Sequence, residues 1–387
     1  MPVPVRGDVT MRFDKSWVNL NHLLMILVIA SSIMSVPVLA DGSIALRWKQ
    51  PAKPPVSLAI SNTGRYYGAV DANGNVRYYG TNGEIIWQKQ IKGATSMLIA
   101  RNGASVLVYA LRDPKNLTIS FFNIKGALLW SHRVQGSVSA GAVSPDGDYA
   151  AVTTAKGYVY LYKPDPRRPR YRRWRMDGIG HSIDFSPDTS RLIVGTWQKS
   201  MLVSYDINGK FLWRSMHTTD RQYDVQVSAD GRAVLCVLPG ITKDSSMEIG
   251  LWDNGGRCLW RQNVRGFDPK ALVSPESLYV AISYAKFLSP GKSEIAERKV
   301  AVFRPDGSLA WEKGGLFFGP RLVALAPKGS SVIVTDGVKS LFRINGKGKI
   351  LTKLALGGTV RQIIAADDGS RILLYCGDGW LYLFDIQ

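Results

Sequence analysis

The chain has 387 residues, of which 45% are apolar and 20% charged, a composition that excludes disorder as an account of most of it. Three cysteines are an odd number and too few for a disulfide scaffold, so at most one bridge can form. A formal net charge of +19, nearly all of it beyond residue 40, makes anionic surfaces the natural class of partner and says nothing about fold.

The N-terminus reads as an address. Arg6, Arg12 and Lys15 precede an uncharged run from Leu23 to Ala40 that ends in Val38-Leu39-Ala40, small or neutral residues where a signal peptidase cuts. Residues 1–40 are therefore expected to be a signal peptide of bacterial type, cleaved after Ala40, with 41–387 as the exported body. An uncleaved membrane anchor is the alternative, because the run has 18 residues, the short end of what spans a bilayer. No cysteine follows the cleavage site to carry a lipid.

Beyond Ala40 one pattern recurs: GEIIW ending at Trp87, GALLW at Trp130, GKFLW at Trp213, GRCLW at Trp260 and GSLAW at Trp311. With Trp48 and Trp174 included the tryptophans stand 39 to 51 residues apart, close to the period of a four-stranded propeller blade. GKILT continues the series with Thr352 in the tryptophan place. Each unit opens with an apolar strand and a tight turn: SNTG at Ser61, ARNG at Ala100, SPDG at Ser144, SPDT at Ser186, SADG at Ser228, SPES at Ser274, APKG at Ala326 and ADDG at Ala366. Pro suits the second position of a type I turn, and Gly supplies positive φ at its end. Two strands rich in Val, Tyr, Leu and Ile follow, then a glycine turn into the tryptophan strand.

Eight turns and seven complete units predict an all-β fold, a single eight-bladed β-propeller of four-stranded antiparallel blades. The last unit, 361–385, supplies three strands and takes its fourth from Ile44 to Trp48, which closes the ring and removes exposed edges. On this reading Trp48, Trp87, Trp130, Trp174, Trp213, Trp260 and Trp311 pack between blades rather than stack on a ligand. Cys236, Cys258 and Cys376 are read as small buried strand residues.

These repeats resemble the tryptophan-docked, quinoprotein-like propellers, the superfamily that holds the pyrroloquinoline-quinone dehydrogenases and the outer-membrane barrel-assembly propeller lipoprotein. The SPDG turns also resemble those of WD40-type propellers, although Leu251-Trp252-Asp253 is the one Trp-Asp at such a place. The resemblance implies the architecture over 42–387. The quinoprotein repeat carries Ala-x-Asp-x-x-Thr-Gly before the tryptophan, whereas this chain has YYGTNG, FFNIKG, SYDINGK and VFRPDG. Adjacent cysteines and a clustered calcium site are not visible, so no cofactor and no metal ligand are assigned.

Local catalytic motifs are absent: His132, His181 and His217 stand in different blades without metal-ligand spacing, and no Gly-x-Ser-x-Gly or phosphate-binding Gly-rich loop occurs. Topology sorts the rest into two faces. Loops after second strands and connections between blades form one face, the loop face, with long insertions at 239–248 and 286–298 and with His181, His217, Arg221, Phe267, Phe317 and Phe318. This is the candidate partner surface. The opposite, turn face is interrupted in blade three by KPDPRRPRYRRWR, which sets Arg167, Arg168, Arg170, Arg172, Arg173 and Arg175 in place of a glycine turn. Guanidinium groups fork onto phosphates and carboxylates, so these six are the candidate polyanion site, for an anionic lipid surface or an envelope polymer; nucleic acid is less suited to an exported protein. The alternative reading of the same arginines is a solvated loop. Three functions remain open: a non-catalytic protein-binding platform of the cell envelope, a quinone- or metal-dependent enzyme with a channel site, and adhesion to polyanions.

Overall fold

The computed structural model describes residues 43–387 apart from 116, 164–169, 198–200, 217–223, 239–245, 277–278, 288–294 and 316–320. Its strands form eight separate four-stranded antiparallel sheets. Seven are simple meanders, numbered here as blades one to seven along the chain, with inner strands Pro55–Ile60, Ser96–Ile99, Val138–Val143, Ile179–Phe185, Asp224–Val227, Phe267–Val273 and Arg321–Leu325. Blade eight combines Val360–Ala365, Arg371–Cys376 and Trp380–Ile386 with the first strand of the ring, Ile44–Pro51.

The turns form for reasons that each repeat carries locally. The serine that opens a first turn is buried, and its hydroxyl accepts the N–H five residues on: Tyr149 for Ser144, Arg191 for Ser186, Ala233 for Ser228 and Tyr279 for Ser274. Three of these hydroxyls, those of Ser144, Ser186 and Ser228, donate to the turn aspartates Asp146, Asp188 and Asp230. The glycine turn before the outer strand is held by an Asx cap, with one side-chain oxygen accepting two backbone N–H groups. Asp206 takes those of Asn208 and Lys210, Asp253 those of Gly255 and Arg257, and Asn345 those of Lys347 and Lys349.

Second and third strands are buried on both faces, because each sheet is covered by a neighbour on either side; Ala233–Leu238 and Ser331–Thr335 are buried at every residue. The core is therefore a series of layers between blades. One joins Leu235, Ile249 and Trp260 of blade five to Ile282, Tyr284 and Phe303 of blade six.

Tryptophan docking fixes the spacing of those layers. The ring of each outer-strand tryptophan lies over the turn glycine of the next blade, so a Cβ would meet it at 3.0 Å for Gly83 on Trp48, 2.6 Å for Gly126 on Trp87 and 2.9 Å for Gly209 on Trp174. The series continues at 2.5 Å for Gly256 on Trp213, 2.8 Å for Gly307 on Trp260 and 3.4 Å for Gly348 on Trp311. Trp130 faces blade three, which lacks the glycine, and stacks instead on Tyr162 at 4.4 Å. Trp48 belongs to the sheet of the C-terminal strands, while its ring packs on Tyr67 of blade one at 5.7 Å. These seven tryptophans thus serve packing between blades.

Closure runs as the repeat count requires. Ile44 pairs with Ile386, Trp48 with Leu383 and Pro51 with Trp380. Asp385 clamps the seam by accepting from Arg47 at 3.1 Å and from Arg371 at 2.8 Å.

Three readings of the sequence are refined. The insertion at 286–298 is partly a strand pair, with Lys286 opposite Glu297 and Phe287 opposite Ile295, because the third and second strands of blade six outrun their neighbours. Likewise 246–248 belongs to a strand rather than a loop. All three cysteines are free, Cys236 and Cys376 fully buried and Cys258 half-buried on an outer strand.

Two outcomes are expected. Deleting residues 380–387 removes the middle strand of blade eight's seam and should abolish cooperative unfolding altogether, as followed by near-UV circular dichroism. Gly256→Ala and Gly379→Ala share a φ of +86°, but only Gly256 has a ring behind it. Gly379→Ala should cost about 1 kcal/mol in urea unfolding and Gly256→Ala about 2–4 kcal/mol.

Candidate functional site

The inner strands line a central channel, and its two ends differ. At the turn face, a cavity of about 230 Å³ is bordered by Asn62, Arg101, Asp184, Gln226 and Asp367 over a wall of Leu98, Ile99, Val143 and Ile183. Arg101 comes from blade two, Asp184 from blade four and Asp367 from blade eight. The Arg101 guanidinium lies 3.3 Å from the Asp367 carboxylate, so the pair bridges past blade one at the channel mouth. Arg101 and Asp367 occupy the second turn position, filled by Pro in SPDG, which aims a side chain at the axis.

Asp184 accepts the N–H of Val227 in blade five at 2.8 Å and that of Phe185 at 2.9 Å. Gln226 repeats the device one blade on, accepting from Val273 at 3.1 Å. Burial nevertheless pushes the Asp184 carboxyl up to about 6, against the pull of Arg101 and the two N–H groups. This end of the channel is thus a polar tie between blades whose charge changes under mildly acidic conditions.

At the loop face a second cavity, of about 710 Å³, is edged by Lys270, Arg298, Asp336 and Arg361 between blades six, seven, eight and one, with Arg298 held by Asp268 at 2.6 Å. His181 stands on the same face. Its Nδ1 lies 3.2 Å from an Arg112 guanidinium nitrogen, and its Nε2 lies 3.4 Å from Asp224. Because arginine only donates, Nδ1 must accept, and the ring proton sits on Nε2 facing the aspartate. The relay links blades two, four and five across the loop face, and it leaves His181 only 15% exposed. Phe267 begins the inner strand of blade six and is half-buried. His217, Arg221, Phe317 and Phe318 lie outside the described residues, as do 239–245 and 288–294. The structure therefore brings His181 and Phe267 to one face.

The basic stretch of blade three is divided. Arg167 and Arg168 lie outside the described residues, whereas Arg170–Arg175 is not a loop but the outer strand of the blade, exposed at every residue except Trp174. It pairs with Tyr158–Lys163, placing Arg170 and Arg172 with Trp174 on the flank toward blade four. Tyr171, Arg173 and Arg175 take the flank toward blade two, beside Tyr158, Tyr160 and Tyr162. Arg172 donates to the Asn208 carbonyl of blade four, and Arg173 lies over the Tyr158 ring at 4.9 Å. The Tyr171 ring, 44% exposed, rests on His132 of blade two at 4.5 Å. His132 is also 2.7 Å from the Tyr162 hydroxyl, and burial lowers its pKa, which favours the neutral ring.

Sequence reasoning missed the channel group of Arg101, Asp184 and Asp367. The available signal was a charged residue at the second turn position, where four turns have Pro and two others Asn62 and Ala229; that singles out Arg101 and Asp367, together with a polar residue in the inner strand IGHSIDF.

Closed ring, channel and two unlike faces define an eight-bladed β-propeller. No protein-family profile matches the sequence, and no curated protein matches it either. Solved structures similar to it include the Dos1 propeller, with a TM-score of 0.68 and 12% identity over 90% of this chain and 95% of that one. BamB from Moraxella catarrhalis gives 0.64 and 14% over 89% and 100%, and the C-terminal WD40 domain of Sif2 gives 0.64 and 12% over 90% and 100%. The architecture is thus shared with both BamB and WD40 propellers.

Titration of Asp184 gives a test of the channel tie. A carboxyl whose folded pKa lies above its unfolded value favours folding most below about pH 4, and that contribution is lost as pH rises through about 6. Asp184→Asn keeps an acceptor for Val227 without the charge. Relative to the native chain, the variant should gain on the order of 2 kcal/mol between pH 4 and pH 7 in urea unfolding, channel water screening part of the shift.

Proposed function

We propose that this propeller is a binding scaffold exported to the cell envelope, and that it holds a protein partner on its loop face. The observation that carries this reading is the relay of Arg112, His181 and Asp224, which ties blades two, four and five together on the loop face. A rigid surface binds with little ordering cost, since its side chains are fixed before the partner arrives. Similarity to BamB and to WD40 domains supports a platform role by analogy of fold. Export rests on the basic residues and uncharged run of 1–40, and the closing strand begins at Ile44, so cleavage after Ala40 leaves the ring complete.

The test uses the full chain expressed in a bacterium, with photo-crosslinkers placed at Lys156, Val338 or Arg361 on the loop face and at Lys125, Arg232 or Lys347 on the turn face. The expected result is a protein with a new N-terminus at Asp41 in the envelope fraction and a discrete crosslinked partner from loop-face positions alone. Arg112→Ser should weaken that crosslink several-fold. Retention of the native N-terminus in the cytosol, or equal crosslinking from both faces, would overturn the reading.

A further inference from the structure

Blade three breaks a rule that the other seven blades keep. In each of those seven the outer strand carries a β-bulge beside the docking residue, so that one residue is skipped in the register: between Tyr78/Tyr79 opposite Trp87, Phe121/Phe122 opposite Trp130 and Ser204/Tyr205 opposite Trp213. The same shift occurs beside Trp260, Trp311, Thr352 and Trp48. The bulge turns two successive apolar residues outward, which is why Ile85 with Ile86, and Phe211 with Leu212, are both exposed. In blade three the ladder runs without a shift from Lys163 opposite Arg170 to Tyr158 opposite Arg175, and arginines stand where the apolar pair would be, at Arg172 and Arg173.

A regular strand distributes its side chains differently from a bulged one. Arg172 and Arg173 point to opposite flanks, and along either flank successive arginines, Arg170 and Arg172 or Arg173 and Arg175, are about 7 Å apart. The four form a line about 17 Å long. Among the described residues no carboxylate pairs with Arg172, Arg173 or Arg175; the first touches a carbonyl and the second a tyrosine ring. At the loop-face end the line runs into a cavity of about 730 Å³ bordered by Lys156, Tyr158 and Arg175, with Asp177 as its one acidic lining residue.

We propose that the outer strand of blade three is a binding track for a linear phosphodiester polymer. Guanidinium forks match phosphate oxygens in pairs, and their repeat along both flanks suits a chain of regularly spaced anions lying on the strand. A flat anionic membrane would meet one flank of such a ridge and leave the other unused. The track lies on the rim, apart from the loop face, so its failure and the failure of the partner reading are distinguishable.

The probe is fluorescently labelled poly(glycerol phosphate), titrated into the full chain over a range of salt concentrations, beside vesicles containing phosphatidylglycerol, which offer the same phosphate chemistry on a surface. R172S/R173S/R175S is expected to weaken polymer binding at least tenfold and to reduce the slope of log K against log salt by about 2, the share of three phosphate contacts on a single strand. R172K/R173K/R175K, which keeps charge without the fork, should fall between this variant and the native chain. K125S/K347S/K349S, which removes three exposed cations from other blades, should change neither quantity by more than about twofold. Equal losses in the two serine variants would assign binding to the diffuse positive charge and overturn the proposal. Binding to vesicles without binding to the polymer would overturn it as well. So would a serine variant that binds polymer as before but self-associates in sedimentation, since the arginines would then only guard an open edge.

Discussion

A sheet that is apolar on both faces is stable only between two neighbours, and this chain meets that constraint by joining its eighth sheet to its first through a strand from the far end of the sequence. Ile44–Pro51 fills the outer position of blade eight, and Asp385 locks the seam between Arg47 and Arg371. Everything else depends on that circle. Without it two sheets would each expose an apolar face, and the channel, the relay on the loop face and the rim would have no fixed geometry.

Repetition makes the ring economical to encode and also marks where it has been altered. Serine caps, Asx turns and tryptophan-on-glycine docking recur because each satisfies buried backbone groups or sets a spacing within one repeat and its neighbour. The departures coincide with polar or basic features. Arg101 and Asp367 replace proline and meet at the channel, while in blade three the loss of the glycine turn goes with a straight, arginine-bearing edge. Trp130 then finds Tyr162 where its counterparts find a glycine. That substitution keeps the blades in contact while releasing the outer strand from the bulge.

The molecule thus offers three unlike surfaces on one rigid frame. Its turn face closes around an ion pair and a carboxyl sensitive to acid. The loop face is opened by a wide cavity and stiffened by a histidine held between an arginine and an aspartate. Along the rim, the outer strand of blade three presents arginines on both of its sides. The loop face and the rim are separate surfaces, so covering one would leave the other exposed.

Most of the fold was legible in the sequence. Eight turn motifs, the tryptophan period and an incomplete last unit sufficed for blade number, strand count and the borrowed strand around Trp48, since turns and alternation are short-range and each repeat states them again. The arginine cluster was legible as composition, but not as a strand, because the bulge that distinguishes the other blades depends on cross-strand pairing. The meeting of Arg101, Asp184 and Asp367, and that of Arg112, His181 and Asp224, were invisible. Each joins residues from three blades that come together only as the blades pack around the axis, and the Arg101–Asp367 pair also spans the closing seam. Local hydrogen bonding and apolar spacing are written along the chain, whereas which distant side chains face one axis is decided only by the packing of the blades around it.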